Sequence, residues 1–312
     1  MSNITVVMEF LLLRFSDNRE FQILHSVSFL VLYLVALMGN SLIIALIAVE
    51  CHLHKPMYFF LLNLSLADIG LVSITLPKSM FNSIFNTRRI AYSGCVSQVF
   101  FLIFFMATDF ALLTVMAYDR YVAICDPLHY EAVMSKEACI QMAAITWIVA
   151  LLYATLHTIG TFTMPFCSNV IDQFFCEIPQ LLKISCSDRH PIEMGVHALG
   201  ALLSFTSFLF IISSYVQIFR AVLRIPSMKG RKKTFSTCTP HFLVVSLFLL
   251  TTSFSYLKPN TNLSTDLNLT AAVVYSVVPP LMNPVIYSLR NQPIKMAMRK
   301  CIHLHWPLFH NL

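Results

Sequence analysis

The chain has 312 residues, of which 57% are hydrophobic and 12% are charged, and its formal net charge is +6. Soluble domains carry about 25% charged residues, so a share of half that size excludes an ordinary water-soluble domain. Lipid accounts for the deficit, because a charged side chain is costly wherever it faces acyl chains.

Long segments with almost no charge divide the chain. Seven of them are at least 22 residues long and contain no more than one Lys, Arg, Asp or Glu each. A helix of about 20 apolar residues is long enough to cross the hydrocarbon core of a bilayer. We therefore predict an all-α membrane protein in which residues 1–312 form one domain, a seven-transmembrane helix bundle with a short amphipathic C-terminal helix. The predicted spans lie near residues 25–49, 57–80, 93–124, 139–163, 195–222, 235–257 and 268–289.

The segment ahead of the first span, residues 1–24, is predicted to be extracellular. Its first 20 residues contain five charged side chains, and no small-residue cleavage site follows a short apolar core. We therefore expect no cleavable signal peptide, and the first span would act as the insertion signal. Asn3-Ile-Thr5 forms a glycosylation sequon on this side.

The basic residues set the predicted orientation. With the N-terminus outside, 13 of the 21 Lys and Arg residues fall on the cytoplasmic side, mostly in the third inner loop and the tail, residues 291–312. Cytoplasmic connections carry such an excess of positive charge. The basic run from Lys229 to Lys233 is therefore interpreted as a cytoplasmic surface, and no nucleic-acid partner is expected.

Four polar side chains occur at comparable depth in the first, second, third and seventh spans: Asn40, Asp68, Asp109 and Asn283. A carboxylate inside a membrane is costly unless it is paired, protonated or hydrated. We predict that these residues line a hydrated polar pocket in the centre of the bundle. A sodium ion held at Asp68 and Asp109 is one candidate occupant, and a protonated, hydrogen-bonded pair without metal is the other.

The inner end of the third span carries Asp119-Arg120-Tyr121. A neighbouring Asp-Arg pair on a surface contributes under about 1 kcal/mol. At a membrane boundary, however, Arg120 could pair locally or extend toward another helix or a partner. Such a contact with two states is what a conformational switch requires.

The connection from about residue 164 to residue 193 holds Cys167, Cys176 and Cys186, and Cys95 opens the third span on the same side. Four cysteines on the oxidising side allow two disulfides in three connectivities, and the residues alone do not choose among them. The five remaining cysteines are expected to be free thiols.

The last predicted element is an amphipathic helix over residues 291–303, where Lys295, Arg299 and Lys300 alternate with apolar residues. The chain contains no Gly-rich phosphate loop, metal-ligand cluster or nucleophile elbow, so we expect neither an enzyme nor a bound cofactor. The absence of internal symmetry and of a charge-lined path fits poorly with a transporter or a channel.

Several long motifs identify a family. Met116-Ala-Tyr-Asp-Arg-Tyr-Val-Ala-Ile-Cys125 resembles the helix-three signature of olfactory receptors, within the rhodopsin-like G-protein-coupled receptors. Six further segments also resemble motifs of this family: Pro56–Leu61, Leu64–Asp68, Lys233–His241, Pro280–Asn291, Gly39-Asn40 and Ser214-Tyr215. Together these motifs, in the expected order, cover nearly the whole chain.

The resemblance implies an odorant receptor in the plasma membrane, multi-pass, with its N-terminus extracellular and its C-terminus cytoplasmic. Such a receptor binds a small, mostly apolar, volatile ligand in the outer half of the bundle and activates a heterotrimeric G protein of the stimulatory, olfactory type, which raises cyclic AMP. The alternative is a non-olfactory chemosensory receptor of the same superfamily that is expressed in other tissues.

The resemblance also implies roles for individual residues. Disulfides would join Cys95 to Cys176 and Cys167 to Cys186. The residues implied in the switch and in G-protein coupling are Asp119, Arg120, Tyr121, Tyr215, His241, Asn283, Pro284 and Tyr287. The implied ligand pocket comprises Leu102, Ile103, Met106, Ala107, Phe110, Leu199, Leu203, Ser253, Tyr256 and Tyr275. Because none of these pocket residues is charged, we expect shape and dispersion to select the ligand.

The chain departs from the family pattern in the sixth span, where Phe248-Leu249-Leu250 stands in place of a common Phe-Tyr-Gly. The hydrogen bond that a tyrosine there would supply at the pocket floor is therefore not expected. Gln173 replaces a histidine that many members carry in the outer loop, which weakens any case for a metal-assisted ligand site.

Overall fold

The computed structural model describes residues 7–186, 191–256 and 265–309. The helices are α1 (Arg19–Val49), α2 (Pro56–Ile84), α3 (Tyr92–Cys125), α4 (Tyr130–Val133), α5 (Lys136–Phe162), α6 (Ile178–Lys183), α7 (Pro191–Leu223), α8 (Met228–Tyr256), α9 (Thr265–Arg290) and α10 (Gln292–Phe309), with a 3₁₀ turn at Cys51–Leu53. Seven of the helices in the described ranges are long and apolar enough to cross a membrane. The predicted seven-helix bundle is therefore confirmed, and α10 supplies the short C-terminal helix.

Local signals fix where several helices begin. The Asn18 side chain accepts a hydrogen bond from the backbone N–H of Glu20 and caps α1, and Ser135 caps α5 by accepting from the N–H of Ala138. Pro56 occupies the first turn of α2, where its missing N–H costs nothing. Most helices run a few residues past the predicted spans. At α1 and α5 the helix begins directly after the capping residue, which lies outside the apolar stretch.

Large apolar side chains cover the outside of the bundle. Met38 on α1 is 63% exposed and Leu202 on α7 is 62% exposed, and many similar residues accompany them. Soluble monomers rarely expose apolar surface on this scale. These faces therefore suit acyl chains.

Each end of the helix bundle has its own distinguishing residues. The disulfide end carries both disulfides, Cys95–Cys176 and Cys167–Cys186, which are the pairings that the family resemblance implies. The Arg120 end lies opposite and includes α4 and α10. A continuous buried core between the helices at the Arg120 end includes Leu64, Met116, Tyr215 and Tyr287.

A small sheet covers the disulfide end. Its strands are β1 (Glu9–Leu12), β2 (Arg89–Ala91) and β3 (Val170–Ile171), with β1 in the centre, antiparallel to β2 and parallel to β3. Phe10 and Leu12 alternate inward and are almost fully buried beside the Cys95–Cys176 disulfide. The segment predicted only as an extracellular N-terminus is thus a structural part of this end from Met8 onward, whereas Asn3 lies outside the described residues.

α10 packs against the Arg120 end through one face. Its Ile294 and Ala297 are buried, whereas Met296 and Lys300 are exposed. The Lys300 ammonium donates a hydrogen bond of 2.9 Å to Glu50, the residue that follows α1. That hydrogen bond lowers the pKa of the partly buried Glu50 carboxyl below its ordinary value.

Candidate functional site

The Asp119–Arg120 pair at the end of α3 is largely withdrawn from water, with the Arg120 side chain 15% exposed. Asp119 is fully inaccessible, and its Oδ2 accepts hydrogen bonds from two nitrogens of the Arg120 guanidinium, with the bond from Nε measuring 2.8 Å. Its Oδ1 accepts a hydrogen bond of 2.8 Å from the Tyr130 hydroxyl in α4. Burial, and then the Asp119 carboxylate, raise the pKa of Tyr130 above its ordinary value, so this phenol remains a donor. Tyr121 packs partly buried against the adjacent core.

Burial changes how much this ion pair contributes to the stability of the protein. An exposed ion pair would contribute little, but breaking a buried one leaves an uncompensated charge that costs about 3–5 kcal/mol. Arg120 adopts the local pairing that the sequence allowed as one of its two states. No sequence pattern predicts the role of Tyr130, because its contact with Asp119 depends on how the chain turns after α3.

A second polar contact joins three helices near the same end. The Tyr215 hydroxyl in α7 lies 2.5 Å from Nδ1 of His241 in α8, and Nε2 of His241 lies 3.1 Å from the carbonyl oxygen of Leu113 in α3. A carbonyl can only accept, so Nε2 carries the proton and Nδ1 accepts from the tyrosine hydroxyl. Both ring nitrogens of His241 therefore have hydrogen-bond partners. Moving α7 away from α8 would break the contact with Tyr215, and moving α8 away from α3 would break the contact with Leu113.

Near the end of α9 lies a tyrosine whose hydroxyl, unlike that of Tyr215, has no hydrogen-bond partner among the described residues. This residue, Tyr287, is fully buried. Nearby, Asn291 accepts a hydrogen bond of 3.2 Å from Tyr58 of α2. A buried hydroxyl without a partner costs about 1–3 kcal/mol, so an arrangement that gave Tyr287 a partner would be favoured by a comparable amount.

The four polar residues predicted in the centre of the bundle are all buried, with a direct contact between two of them. The Asn283 amide in α9 donates to both oxygens of Asp68, at 2.9 and 3.2 Å. Asn40 instead donates to the carbonyl oxygens of Ala36 and Pro280. A Cβ added at Gly39 would lie 2.9 Å from Cγ of Pro284, so the close approach of α1 to α9 requires glycine there.

Acceptor oxygens remain unused in this region. Among the described residues, Asn40 Oδ1, Asp109 Oδ1 and Asn283 Oδ1 are buried and have no hydrogen-bond partner. Oxygen ligands of this type suit a hard monovalent or divalent cation. The described residues, however, include no group of three His, Cys, Asp or Glu side chains that could hold a metal ion.

An apolar cluster near the disulfide end brings together part of the predicted pocket. Leu102 and Tyr275 are buried in one cluster with Phe174 and Phe175 from the loop after α5, and Met106 packs against it partly buried. Deeper in the bundle, Phe110 stacks on Phe248 of α8 with ring centroids 5.6 Å apart. We call the group formed by Leu71, Leu102, Phe174, Phe175, Leu269, Ala272 and Tyr275 the Tyr275 cluster.

Other predicted pocket residues lie elsewhere. Ile103 packs toward the Cys95–Cys176 disulfide, and Ala107 is partly buried on α3. Leu199 and Leu203 of α7 are 45% and 48% exposed. Residues all round this part of α7 are exposed, so exposure does not separate a lipid face from a bundle face, and the place of these two residues in the pocket stays a prediction. The side chains of Ser253 and Tyr256 lie outside the described residues.

The same region contains a carboxylate that the sequence analysis did not include. Glu177, which follows Cys176, is only 9% exposed, and its Oε2 accepts a hydrogen bond of 2.5 Å from the Tyr275 hydroxyl. Glu177 thus places a carboxylate next to Tyr275, whereas the predicted pocket residues are all uncharged. The disulfide at Cys176 brings Glu177 into the bundle, and a loop position in the sequence does not reveal this burial.

Comparisons with known proteins agree with these features. The family model described as olfactory receptor matches residues 29–304. Olfactory receptors 14C36 and 14A16 of Homo sapiens are 50% and 48% identical to this chain, and each alignment covers 96% of both chains. The crystal structure of squid rhodopsin has the same fold, with a TM-score of 0.75, 16% identity, and coverage of 91% of this chain and 81% of that one. Olfactory receptors are signalling receptors and not enzymes, and the chain belongs to the olfactory receptor family.

Proposed function

We propose that this receptor binds a small, mostly apolar, volatile molecule at the disulfide end and activates a stimulatory G protein of the olfactory type, which raises cyclic AMP. The observation that carries the proposal is the position of α3. This single helix contributes Leu102 and Met106 to the region of the Tyr275 cluster and Asp119 and Arg120 to the buried pair at the other end. A displacement of α3 relative to its neighbours would therefore affect both regions.

The proposed orientation places the disulfide end outside the cell. Disulfides form in oxidising compartments, and both bridges lie at that end. The Arg120 end would face the cytoplasm, where α10 and the basic residues from Lys229 to Lys232 meet the G protein and the inner leaflet. The plasma membrane is the proposed location, with the glycosylation sequon at Asn3 on its outer face.

In the proposed switch, a ligand favours one of two helix arrangements in proportion to its difference in affinity for them. The resting arrangement has the Asp119–Arg120 pair, the Tyr215–His241 contact and the Asn283–Asp68 contact described above. In the active arrangement Arg120 leaves Asp119, α7 and α8 separate from α3, and Tyr287 gains a polar partner. A cation at Asp68 and Asp109 would stabilise the resting arrangement by using the free acceptor oxygens.

A screen of small volatile compounds on cells that express the chain tests this proposal. Cyclic AMP and surface staining would be measured together. We expect at least one apolar volatile compound to raise cyclic AMP in a concentration-dependent manner. No response from receptor that is present at the surface would count against the proposal.

Replacing Met106 with Ala should reorder the potencies of the compounds that activate the receptor. Met106 packs against the Tyr275 cluster, and the loss of a few methylene-sized groups changes ligand discrimination by about 1–3 kcal/mol, or roughly ten- to a hundredfold in potency. The matched control is Leu202→Ala, which shortens a side chain on the outside of the bundle that is 62% exposed. An unchanged ranking in the Met106 variant, or an equal change in both variants, would remove Met106 from the pocket.

A further inference from the structure

The carboxylate of Glu177 is held at a defined place in the bundle. Cys176 is tied to Cys95 of α3 by a disulfide, and its backbone N–H donates a hydrogen bond of 2.8 Å to Gln98 of the same helix. The next residue, Glu177, accepts from the Tyr275 hydroxyl at 2.5 Å and from the Gln173 amide at 3.4 Å. The loop and α9 thus meet at this carboxylate.

The surroundings of Glu177 are mostly apolar. Its partner Tyr275 belongs to the Tyr275 cluster, and the Phe175 ring lies edge-on to the Tyr275 ring with centroids 6.2 Å apart. Within residues 7–186, 191–256 and 265–309, no described Lys, Arg or His forms an ion pair with Glu177. The carboxylate is therefore largely withdrawn from water, and its side-chain donors among the described residues, the Tyr275 hydroxyl and the Gln173 amide, are neutral.

The donors in the described part of the chain do not fill the carboxylate. An ionised carboxylate offers about four acceptor positions, and these two neutral donors occupy two of them, one at a long distance. A buried carboxylate gains most from a donor that is charged or strongly polar, because charge-assisted hydrogen bonds are roughly twice as strong as neutral ones. A ligand that carries a carboxylate would meet repulsion at the same position.

We propose that Glu177 determines the chemical class of the ligand by accepting a hydrogen bond from a primary amine or an alcohol on an otherwise apolar molecule. The polar group of the ligand lies against Glu177 and Tyr275, and the hydrocarbon part extends along Leu102 and Met106. The inference rests on the proposed ligand-binding function. It adds to shape a second criterion for the ligand, which is a hydrogen-bond donor that binds Glu177.

A purely structural role for Glu177 makes a different prediction. If the Tyr275 contact only clamps the loop to α9, a change at Glu177 should weaken all ligands by the same factor. If Glu177 contacts the ligand, the change should depend on the functional group of the ligand. The test therefore compares ligands that share one hydrocarbon skeleton.

The probes are matched sets in which a hexyl, octyl, cyclohexyl or benzyl skeleton carries an amine, an alcohol, an aldehyde or a carboxylic acid. Cyclic AMP is measured in cells that express the receptor, its Glu177→Gln variant or the control variant Glu9→Gln. Glutamine keeps the size of the side chain and can still accept from Tyr275. Glu9 lies in β1 at the same end with a half-exposed side chain, so its change to Gln tests for a general effect of charge there.

We expect amines and alcohols to activate the receptor and the acids to be inactive. In Glu177→Gln, the concentration needed for half-maximal activation by an amine should rise about ten- to a hundredfold, with the aldehyde responses unchanged. Aldehydes or acids that match the amines and alcohols in potency would overturn the inference, as would an equal shift for every ligand. In those cases the receptor still responds, so the proposed function stands. If neither these probes nor the wider screen raised cyclic AMP, both the proposed function and the role of Glu177 would be rejected.

Discussion

Receptor in which Arg120 is replaced by Ala is expected to reach the cell surface and to give no ligand-stimulated cyclic AMP above background. The guanidinium is the group that can exchange its hydrogen bonds with Asp119 for contacts with another helix or with the G protein. Alanine removes that group in both arrangements of the bundle. The loss should therefore appear in the maximal response and not in the potency of the ligand.

Stability has to be separated from signalling in this experiment. Removing Arg120 leaves the Asp119 carboxylate with the hydrogen bond from the Tyr130 hydroxyl, and because the Arg120 side chain is 15% exposed, the cost is below the about 3–5 kcal/mol of a fully buried pair. Arg120→Lys retains the charge but lacks the planar group that donates from two nitrogens, so we expect folded receptor with a reduced maximal response. The control is Arg89→Ala, an exposed arginine at the opposite end. A full response from the Arg120→Ala variant, normalised to surface staining, would exclude the switch role of this residue.

Replacing either Cys95 or Cys176 with Ser should retain the receptor inside the cell. Both cysteines are fully buried, and their disulfide closes 81 residues of chain between α3 and the loop after α5. Disulfide removal typically costs about 2–5 kcal/mol, out of a total stability of about 5–15 kcal/mol for a folded domain. The loop also carries Phe174, Phe175 and Glu177 into the bundle, so its release would open the apolar cluster to water.

Surface staining of intact cells and total staining of permeabilised cells measure this effect. We expect the ratio of the two to fall to background for the Cys95 and Cys176 variants. Cys51→Ser is the matched control, because Cys51 is an exposed free thiol at the Arg120 end. The Cys167–Cys186 bridge closes only 19 residues, so its loss should have a smaller effect in the chain-entropy account. Normal surface staining of Cys95→Ser would show that the disulfide is dispensable for folding.

The membrane spans could be predicted from the sequence because their signal is local. Each span needs only about 20 apolar residues in a row, and a window of that length contains the whole signal. The polar contacts near the Arg120 end could be anticipated in part, since Asp119 and Arg120 are neighbours on one helix. Their burial and the contribution of Tyr130 required the fold.

Features that depend on residues far apart in the chain could not be predicted from the sequence. In a soluble protein, the apolar stripe of a helix marks its buried face, but in lipid both faces are apolar, so the sequence of α7 does not show which of its leucines face the bundle. β1 depends on pairing with residues about 80 and 160 positions away, and short strands of this kind have little intrinsic preference. Glu177 is buried only because the disulfide and Tyr275 draw its loop inward.

The most direct test of the account is nucleotide exchange on a purified stimulatory G protein by the receptor in lipid nanodiscs. We predict that a volatile agonist from the screen accelerates the exchange of GDP for GTP, and that the Arg120→Ala variant shows no acceleration with the same agonist. An agonist that leaves the exchange rate unchanged in wild-type receptor, or one that drives an ion current in membranes without any G protein, would contradict the account.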